Sequence, residues 1–512
     1  MFEVLTLKAE YEKLAGKARS TYLNDAKKFA RWTIPSLLSF NEKLPSNSKS
    51  DTPDIHTPKY DSIGAEAVNF LANKIVLTFF PPQRPFFRLR ADNSSDVAQE
   101  AMQDKEMAER VSSILSSLER EALLKFNGIA ARADLVTAAL HLIVTGNGLL
   151  YYNGKETRFY DLNRYVVERD ISGGVVKLII EDGLIYGTLS DEYKKLLIKH
   201  DFEYDDIVPL YTKVEWVASK QKYKVQQSLE DIIVPGQENV YYEKDELPYI
   251  PLAWQLTAGE HYGRGMVEMY KGAFAAVNAL SREMTLLGVI ASKIIFLVNP
   301  SSTTLANKID ELGTCESGTF FIGMPEDLNV VNVNKLNDAT IVTTMLQEHT
   351  QLIRRVFLMD SAVQRDAERV TAEEIRRVAQ QLETSFGGVY SRLSIAWQKP
   401  MAVIALKEVE KLVAKEKWLN IDIVTGLESI SRSAEVEDLL SWLQSLQIFN
   451  GLSPEVMMRI NMDDAIRRLA QGYNIDIGSY EGLLKSAAQV QQEMQQMQQQ
   501  QMAAGLAEQG QG

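Results

Sequence analysis

"SAVQRDAERVTAEEIRRVAQQLETSFGGVYSRL", residues Ser361–Leu393, begins without clear periodicity and ends as a long amphipathic helix. The start of that helix is sharply specified. Thr371 followed by Glu374 is a capping box: the threonine oxygen accepts from the N3 amide, and the glutamate accepts from the cap amide. Val370 before the cap and Ile375 at N4 have the spacing of a hydrophobic staple. From Ile375 through Val378, Leu382, Phe386, Val389, Leu393 and Trp397, apolar residues recur every three or four positions, giving one stripe. Gly387 and Gly388 each cost roughly 1 kcal/mol against alanine in a helix, so a kink or a close helix contact is expected there. Pro400 should bend or end the helix. A firmly anchored helix thus follows a charged, irregular segment, about Met359–Val370.

Working outward, "DATIVTTMLQEHTQLIRRVFLM", Asp338–Met359, reads as a helix entering that segment. Upstream, "SKIIFLVNP", "GTFFIG" and "LNVVNV" form a small β module. It is preceded by a helix of nearly thirty residues that starts in "GEHYGRGMVEMY" and would be roughly 40 Å long. The "GRG" of that stretch, Gly263–Gly265, reads as a flexible joint. Residues 1–45 read as helix, and a second helix spans Ile63–Thr78, followed by the extended "FFPPQRPFFRLR". A helical block from about Val97 to Thr145 is closed by "GNG", with Gly146 as the terminating residue. From Leu149 to Trp254, short alternating runs between turn signals predict antiparallel sheet, interrupted by a helical insert, "LSDEYKKLLIKH". Beyond about Asn420 a smaller helical set is expected, then a Gln- and Met-rich tail with no core to bury.

A chain of 512 residues is long enough for several domains. Its formal charge of −13 argues against a protein that grips nucleic acid by its phosphates, yet suits both an ordinary soluble surface and a passage through which a polyanion slides. A single cysteine, Cys315, excludes an intrachain disulfide framework and fits a reducing compartment. No secretory signal is visible at the start. The longest apolar run, Leu286–Val298, is broken by Ser292 and Lys293 and falls short of a membrane span. The expected product is intracellular and not bound to a membrane.

Little in the sequence points to catalysis. The histidines His56, His141, His200, His261 and His349 lie far apart, with none at metal-ligand spacing. There is no Walker A loop, no GxSxG elbow and no zinc-binding cysteine pair. Carboxylates such as Asp463 and Asp464 belong to no set tied together by spacing. No metal, no cofactor and no enzymatic activity are expected. Around the opening stretch, Arg354, Arg355, Arg365, Arg369, Arg376 and Arg377 are mixed with Asp360, Asp366, Glu368, Glu373 and Glu374. Physics alone leaves two readings: a salt-bridged solvated surface, the commoner fate of such runs, or a near-neutral loop facing a polyanion.

The opening stretch strongly resembles the portal proteins, or head-to-tail connectors, of short-tailed (podovirus) double-stranded DNA phages. The resemblance also runs through "TIPSLL" (Thr33–Leu38), "AVNFLANKIVLTFFPPQ" (Ala67–Gln83), "VTGNGLLYY" (Val144–Tyr152), "ELPYIPLAWQLTAGEHYGRGMVEMY", "ASKIIFLVNP" and "GMPEDLNVV", in order from about residue 30 to about 430. Such colinearity is more specific than any one motif. It implies an α+β portal fold: an N-terminal wing with an antiparallel β region (1–264), a stem helix (265–291), a small β clip (292–337) and a second stem helix (338–358). A channel loop (359–370), a long wing helix (371–419), a helical crown or barrel (420–490) and a disordered tail (491–512) would follow.

The resemblance further implies a ring of twelve subunits at one capsid vertex, through which double-stranded DNA is packaged and ejected. It gives the loop residues Gln364, Arg365, Asp366, Glu368 and Arg369 a DNA-facing role, anchored by Val370, Thr371, Glu374 and Ile375. The implied partners are the terminase large subunit, scaffolding protein, major capsid protein, and tail adaptor and tail tube proteins. The implied location is the virion, with host cytoplasm during assembly. Where the family carries a Thr-Gly pair, this chain has Asp366 and Ala367; the aspartate adds a negative charge, and alanine lacks glycine's access to positive φ. Two other readings stay open, another oligomeric head-completion or tail protein and a nucleic-acid-processing enzyme.

Overall fold

The computed structural model describes residues 6–39, 60–82, 85–91, 105–129, 131–197, 202–291, 296–298, 328–330, 336–359, 372–386, 388–413 and 421–425. It is a mixed α+β fold in which helices and antiparallel sheets share one large core.

The N-terminal helix expected over 1–45 is two helices. Helix α1 (Leu7–Leu14) passes through a π-helical turn, Ala15–Arg19, into α2 (Ser20–Trp32). Thr33 leaves helical geometry at φ −117°, ψ −88°, two residues before Pro35, which cannot continue the helical ladder. Helix α3 (Ile63–Phe79) buries a broad apolar face that includes Leu71, Ala72, Ile75 and Val76, and leaves only a narrow polar stripe of Glu66, Asn69 and Asn73 exposed.

The block expected over 97–145 is divided at residues 129–130 into α4 (Lys105–Gly128) and α5 (Ala131–Thr145). Gly128 supplies the break, since glycine is the weakest helix former after proline. Helix α5 packs against both α2 and α3.

Strand β1 (Arg88–Ala91) follows the proline-rich stretch. Strands β2 (Asn147–Tyr152), β3 (Thr157–Tyr160) and β10 (Tyr249–Ala253) form a three-stranded sheet in the order β10-β2-β3. A larger sheet runs β4 (Tyr165–Arg169), β5 (Val175–Ile185), β6 (Ile207–Val217), β7 (Lys222–Leu229), β8 (Ile232–Ile233), with β9 (Val240–Tyr242) also on β7. All pairings are antiparallel, and the insert between β5 and β6 carries a short helix, α6 (Asp191–Leu196). Leu189 and Leu197 of the insert pack with Val208 on β6, Leu229 on β7 and Val234 just after β8 in a small core of their own.

The helix expected to run unbroken for nearly thirty residues is interrupted at Tyr270, giving α7 (Met266–Met269) and α8 (Lys271–Ala291). It lies alongside α9 (Leu336–Val356), and between them β11 (Phe296–Val298) pairs antiparallel with β12 (Leu328–Val330). Ala273, Phe274 and Val277 are buried on α8, at a spacing of three to four residues.

The helix after the charged loop is not continuous to 419. It is α10 (Ala372–Phe386), a break, α11 (Val389–Leu393), a π turn over Ser394–Gln398, and α12 (Lys399–Val413). Gly388 sits at φ +82°, and a side chain built there would meet nothing closer than 4.0 Å, so Gly388 makes a kink and not a close contact. Pro400 does not end the helix. The π turn just before it already breaks the regular ladder, which accommodates a residue with no amide to donate.

The region beyond Asn420, expected to be helical, opens with a strand, β13 (Ile421–Val424), which pairs with β1 in the register Arg88↔Val424 to Ala91↔Ile421. Ile421, Ile423 and Val424 suit a strand, and their partner lies more than 300 residues away, beyond the reach of local pattern.

Candidate functional site

The loop that the sequence singles out, with Gln364, Arg365, Asp366, Glu368, Arg369, Val370 and Thr371, lies outside the described residues. Helix α10 begins at Ala372, the position after the expected cap, and Glu374 and Ile375 fall in its first turn. The structure brings into view the described residues on either side of that segment and the framework that fixes them.

On the incoming side, α9 terminates in a buried plug. Ile353 and Phe357 are essentially inaccessible, and the Phe357 ring meets Phe274 of α8 edge-on, with centroids 5.5 Å apart at 88°. Leu358 then turns left-handed at φ +59°, and its amide donates to the Arg355 carbonyl at 3.1 Å. A leucine in that region is strained by roughly 1–2 kcal/mol, and its burial holds it there.

On the outgoing side, Ala379 and Leu382 bury one face of α10, while Trp254 meets Phe386 at 5.4 Å. Across the Gly388 kink, the Glu383 carboxylate accepts from the Ser391 amide at 3.0 Å and from the Ser391 hydroxyl at 2.6 Å. One carboxylate thereby caps α11 and joins it to α10. Gln398 donates to the buried Phe79 carbonyl at 2.7 Å and fastens the following π turn to α3.

Cations gather near both ends. Arg354 lies 3.6 Å from Glu66, while Arg355 and Arg377 are exposed. Lys74 donates to Gln381 at 3.4 Å, and burial, together with the like charge of Arg377, pushes its ammonium below the ordinary lysine range. Arg365 and Arg369 and the Arg376 side chain lie outside the described residues.

The framework includes a knot that sequence reasoning read only in part. Gly146 ends α5 at φ +77°, as expected. "GRG", expected to be a flexible joint, is instead tightly enclosed. A side chain on Gly263 would meet the Gly146 carbonyl at 2.7 Å, and one on Gly265 would meet the Ile143 carbonyl at 2.7 Å. These glycines permit close backbone approach. Asn147 closes the knot, donating to the Gly263 carbonyl at 2.8 Å and accepting from the Gly263 amide at 2.7 Å. The signal was present in "TGNG" and "GRG", but nothing local says that the two meet.

Beside the knot is a cavity of about 520 Å³ whose lining includes Tyr22, Asp25, Glu260, Arg264, Glu268 and Lys271. Arg264 is held by Glu260 at 2.7 Å and Glu268 at 3.2 Å. The hydrogen bond from Arg264 lowers the pKa of Glu260, whereas burial raises that of Glu268. Both carboxylates of the cavity wall are thus paired with the one guanidinium. Of the histidines, His261 accepts from the Arg169 amide at 3.1 Å, and His141 is buried against Phe159 at 4.6 Å. No group of three potential metal ligands occurs among the described residues.

The family model for the bacteriophage head to tail connecting protein matches residues 5–479. The chain is 32% identical to the portal protein of Escherichia phage T7 over 510 residues, covering 96% of this chain and 90% of that one. It is 31% identical to the portal protein of Enterobacteria phage SP6 over 499 residues (96% and 92%) and 30% identical to that of Pseudomonas phage phiKMV over 493 (94% and 92%). Among solved structures, a chain from the virion of a native gene transfer agent particle aligns at TM-score 0.38 with 13% identity, covering 84% of this chain and 91% of its own. Matched by the family model over residues 5–479 and similar to three phage portal proteins along almost its whole length, the chain belongs to the bacteriophage head-to-tail connecting protein family, the portal proteins.

Proposed function

We propose that copies of this chain assemble into a closed ring of twelve at one capsid vertex, and that the ring is the channel through which double-stranded DNA is packaged and ejected. In this reading α8 and α9 are the stem and residues 292–337 the clip. The loop 359–370 faces the DNA, 371–419 is the wing helix, and 420–490 form the crown or barrel. The terminase large subunit docks first and the tail adaptor and tail tube proteins later, with scaffolding protein and the major capsid protein as assembly partners. The ring resides in the virion after assembly in the host cytoplasm, and work for translocation comes from the terminase.

The observation that carries the ring is the outer surface of the helix pair. Leu286 and Val289 on α8, and Ile341, Met345 and Leu352 on α9, are each at least 38% exposed. Their spacings of three, four and seven residues put them in stripes turned away from the α8–α9 contact. Two apolar stripes on one pair of helices supply the two faces that a heterologous, closing interface requires. An acidic subunit, formal charge −13, also suits a channel past which DNA moves without sticking.

Electron microscopy of the purified protein tests the reading. Rings with a central hole are expected, and their rotational symmetry counts the subunits. Persistent monomers, even with scaffolding protein added, would overturn it.

A further inference from the structure

Helix α1 is seated apart from the main core. Its contacts are with one face of the six-stranded sheet, where Tyr11 packs with Val166, Ile179 and Tyr211 in a small separate cluster flanked by Leu7 and Leu14. Helix α2, immediately after the π turn, buries Leu23, Ala26, Phe29 and Ala30 in the main core. The turn joins two helices with different seats, and Gly16 within it has open space around it.

Charge holds α1 down. The Glu10 carboxylate lies between two strands, 2.6 Å from Lys177 on β5 and 3.0 Å from Lys213 on β6. Those lysines continue outward to Glu168 at 3.7 Å and Glu215 at 3.3 Å. The result is a ladder of alternating charges, Glu168–Lys177–Glu10–Lys213–Glu215, whose central rung is the only one not on the sheet. Lys8 adds a contact with Glu230 at 2.9 Å. Beside Glu10 in the sequence, the Tyr11 hydroxyl donates to the Asn163 carbonyl at 2.9 Å and accepts from Arg19 at 2.7 Å.

Remove Glu10 and two half-buried lysines on neighbouring strands face each other with their shared counter-ion gone. The seat of α2 in the main core is built from the apolar side chains of Leu23, Ala26, Phe29 and Ala30. Screening or removing the Glu10 charge acts directly on the seat of α1.

We propose that α1 is a latch, held by the Glu10 ladder, which opens as a unit without unfolding the core and thereby uncovers the sheet face of Val166, Ile179 and Tyr211. The device is independent of the ring: it belongs to the subunit whatever its assembly.

Amide hydrogen exchange on the full-length protein tests this, comparing peptides within 7–14 and 20–32. In the native protein, 7–14 should exchange at least tenfold faster than 20–32 and accelerate further as salt is raised, while 20–32 stays constant. Glu10→Lys should accelerate 7–14 by tenfold or more, and adding Lys213→Glu should recover much of the protection. Equal exchange of the two peptides at every salt concentration, or an equal response of both to Glu10→Lys, would overturn the proposal by making α1 part of the global unit. The salt series on the unaltered protein decides the matter even if Glu10→Lys fails to fold.

Discussion

Asn147 and Gly263, 116 positions apart, exchange two buried hydrogen bonds through one carboxamide, at 2.8 and 2.7 Å. The same carboxamide donates to the Thr145 carbonyl at 2.9 Å. The end of α5, the start of β2 and the approach to α7 are thereby fixed at a single point. Asn147→Ala leaves a buried amide and carbonyl without partners, each costing about 1–3 kcal/mol. Chemical denaturation should show a loss of roughly 2–4 kcal/mol, near the upper end of ordinary single substitutions. Gly265→Ala, whose added methyl would meet three backbone atoms between 2.7 and 2.9 Å away, should abolish soluble expression. A Gly265→Ala protein with native melting behaviour would show that "GRG" is a joint after all.

The kink at Gly388 and the carboxylate beneath it should behave as one unit. Gly388→Ala forces a side chain into φ +82° and should cost about 1–2 kcal/mol. Glu383→Ala removes both bonds to Ser391 and should cost about 1.5–3 kcal/mol, because charged hydrogen bonds are the stronger kind. Their double mutant should lose less than the sum, since each change already frees α11 from α10. Strict additivity in thermal melts would refute the coupling.

His141 makes stability depend on pH. Burial depresses its pKa to about 4, and its Nδ1 has no hydrogen-bond partner. The unfolded chain takes up a proton below about pH 6.5, where the folded chain still excludes it. Stability is therefore full above about 6.5, falls as pH drops, and levels off near 4. The total loss is on the order of 3 kcal/mol. Comparing denaturation at pH 7.5 and pH 5, His141→Phe should remove this slope even if it lowers stability overall. An unchanged slope would mean that the imidazole is not the group responsible.

Glu10 adds a second, lower pH window. Burial alone would raise its pKa, but the bonds from Lys177 and Lys213 outweigh that and lower it. A carboxylate depressed in the folded state contributes stability above the unfolded value, about 4.3, and loses it as pH falls through the folded one. The difference between the native protein and Glu10→Gln should vanish in strong acid and be constant above about pH 5. A difference that grows on acidification would contradict the ladder geometry.

Ile341→Asp combined with Met345→Asp places charge on the exposed stripe of α9 without touching the α8 contact. Circular dichroism should be unchanged while ring assembly, followed by sedimentation, is lost. Assembly at native levels would remove that stripe from the interface.

Elements were legible in this sequence wherever a local signal sufficed. The apolar repeat of α10, the stop at Gly146, the alternation of the sheet region and the helix–β–helix order around residues 271–356 all depend on residues within a few turns of one another. The same locality explains the misses. The breaks at Tyr270 and at the Ser394–Gln398 π turn lie inside strong apolar periodicity and are set by what each half packs against. Residues Gln364, Arg365, Asp366, Glu368 and Arg369 stand out only by pattern and resemblance and lie outside the described residues, and what the fold adds is the pair of flanking features, Leu358 and the Glu383–Ser391 clasp.

The sequence by itself determined the main helices, the antiparallel sheet region and which family the chain resembles, because propensity, caps and colinear motifs are written residue by residue. Only the tertiary structure decided that β1 pairs with β13, that Asn147 reaches Gly263 and that Glu10 lies between Lys177 and Lys213. Each joins residues more than 100 positions apart, and no local rule names such a partner. Which distant segments meet is settled by the shared burial of their apolar faces, and the polar contacts then follow from that packing.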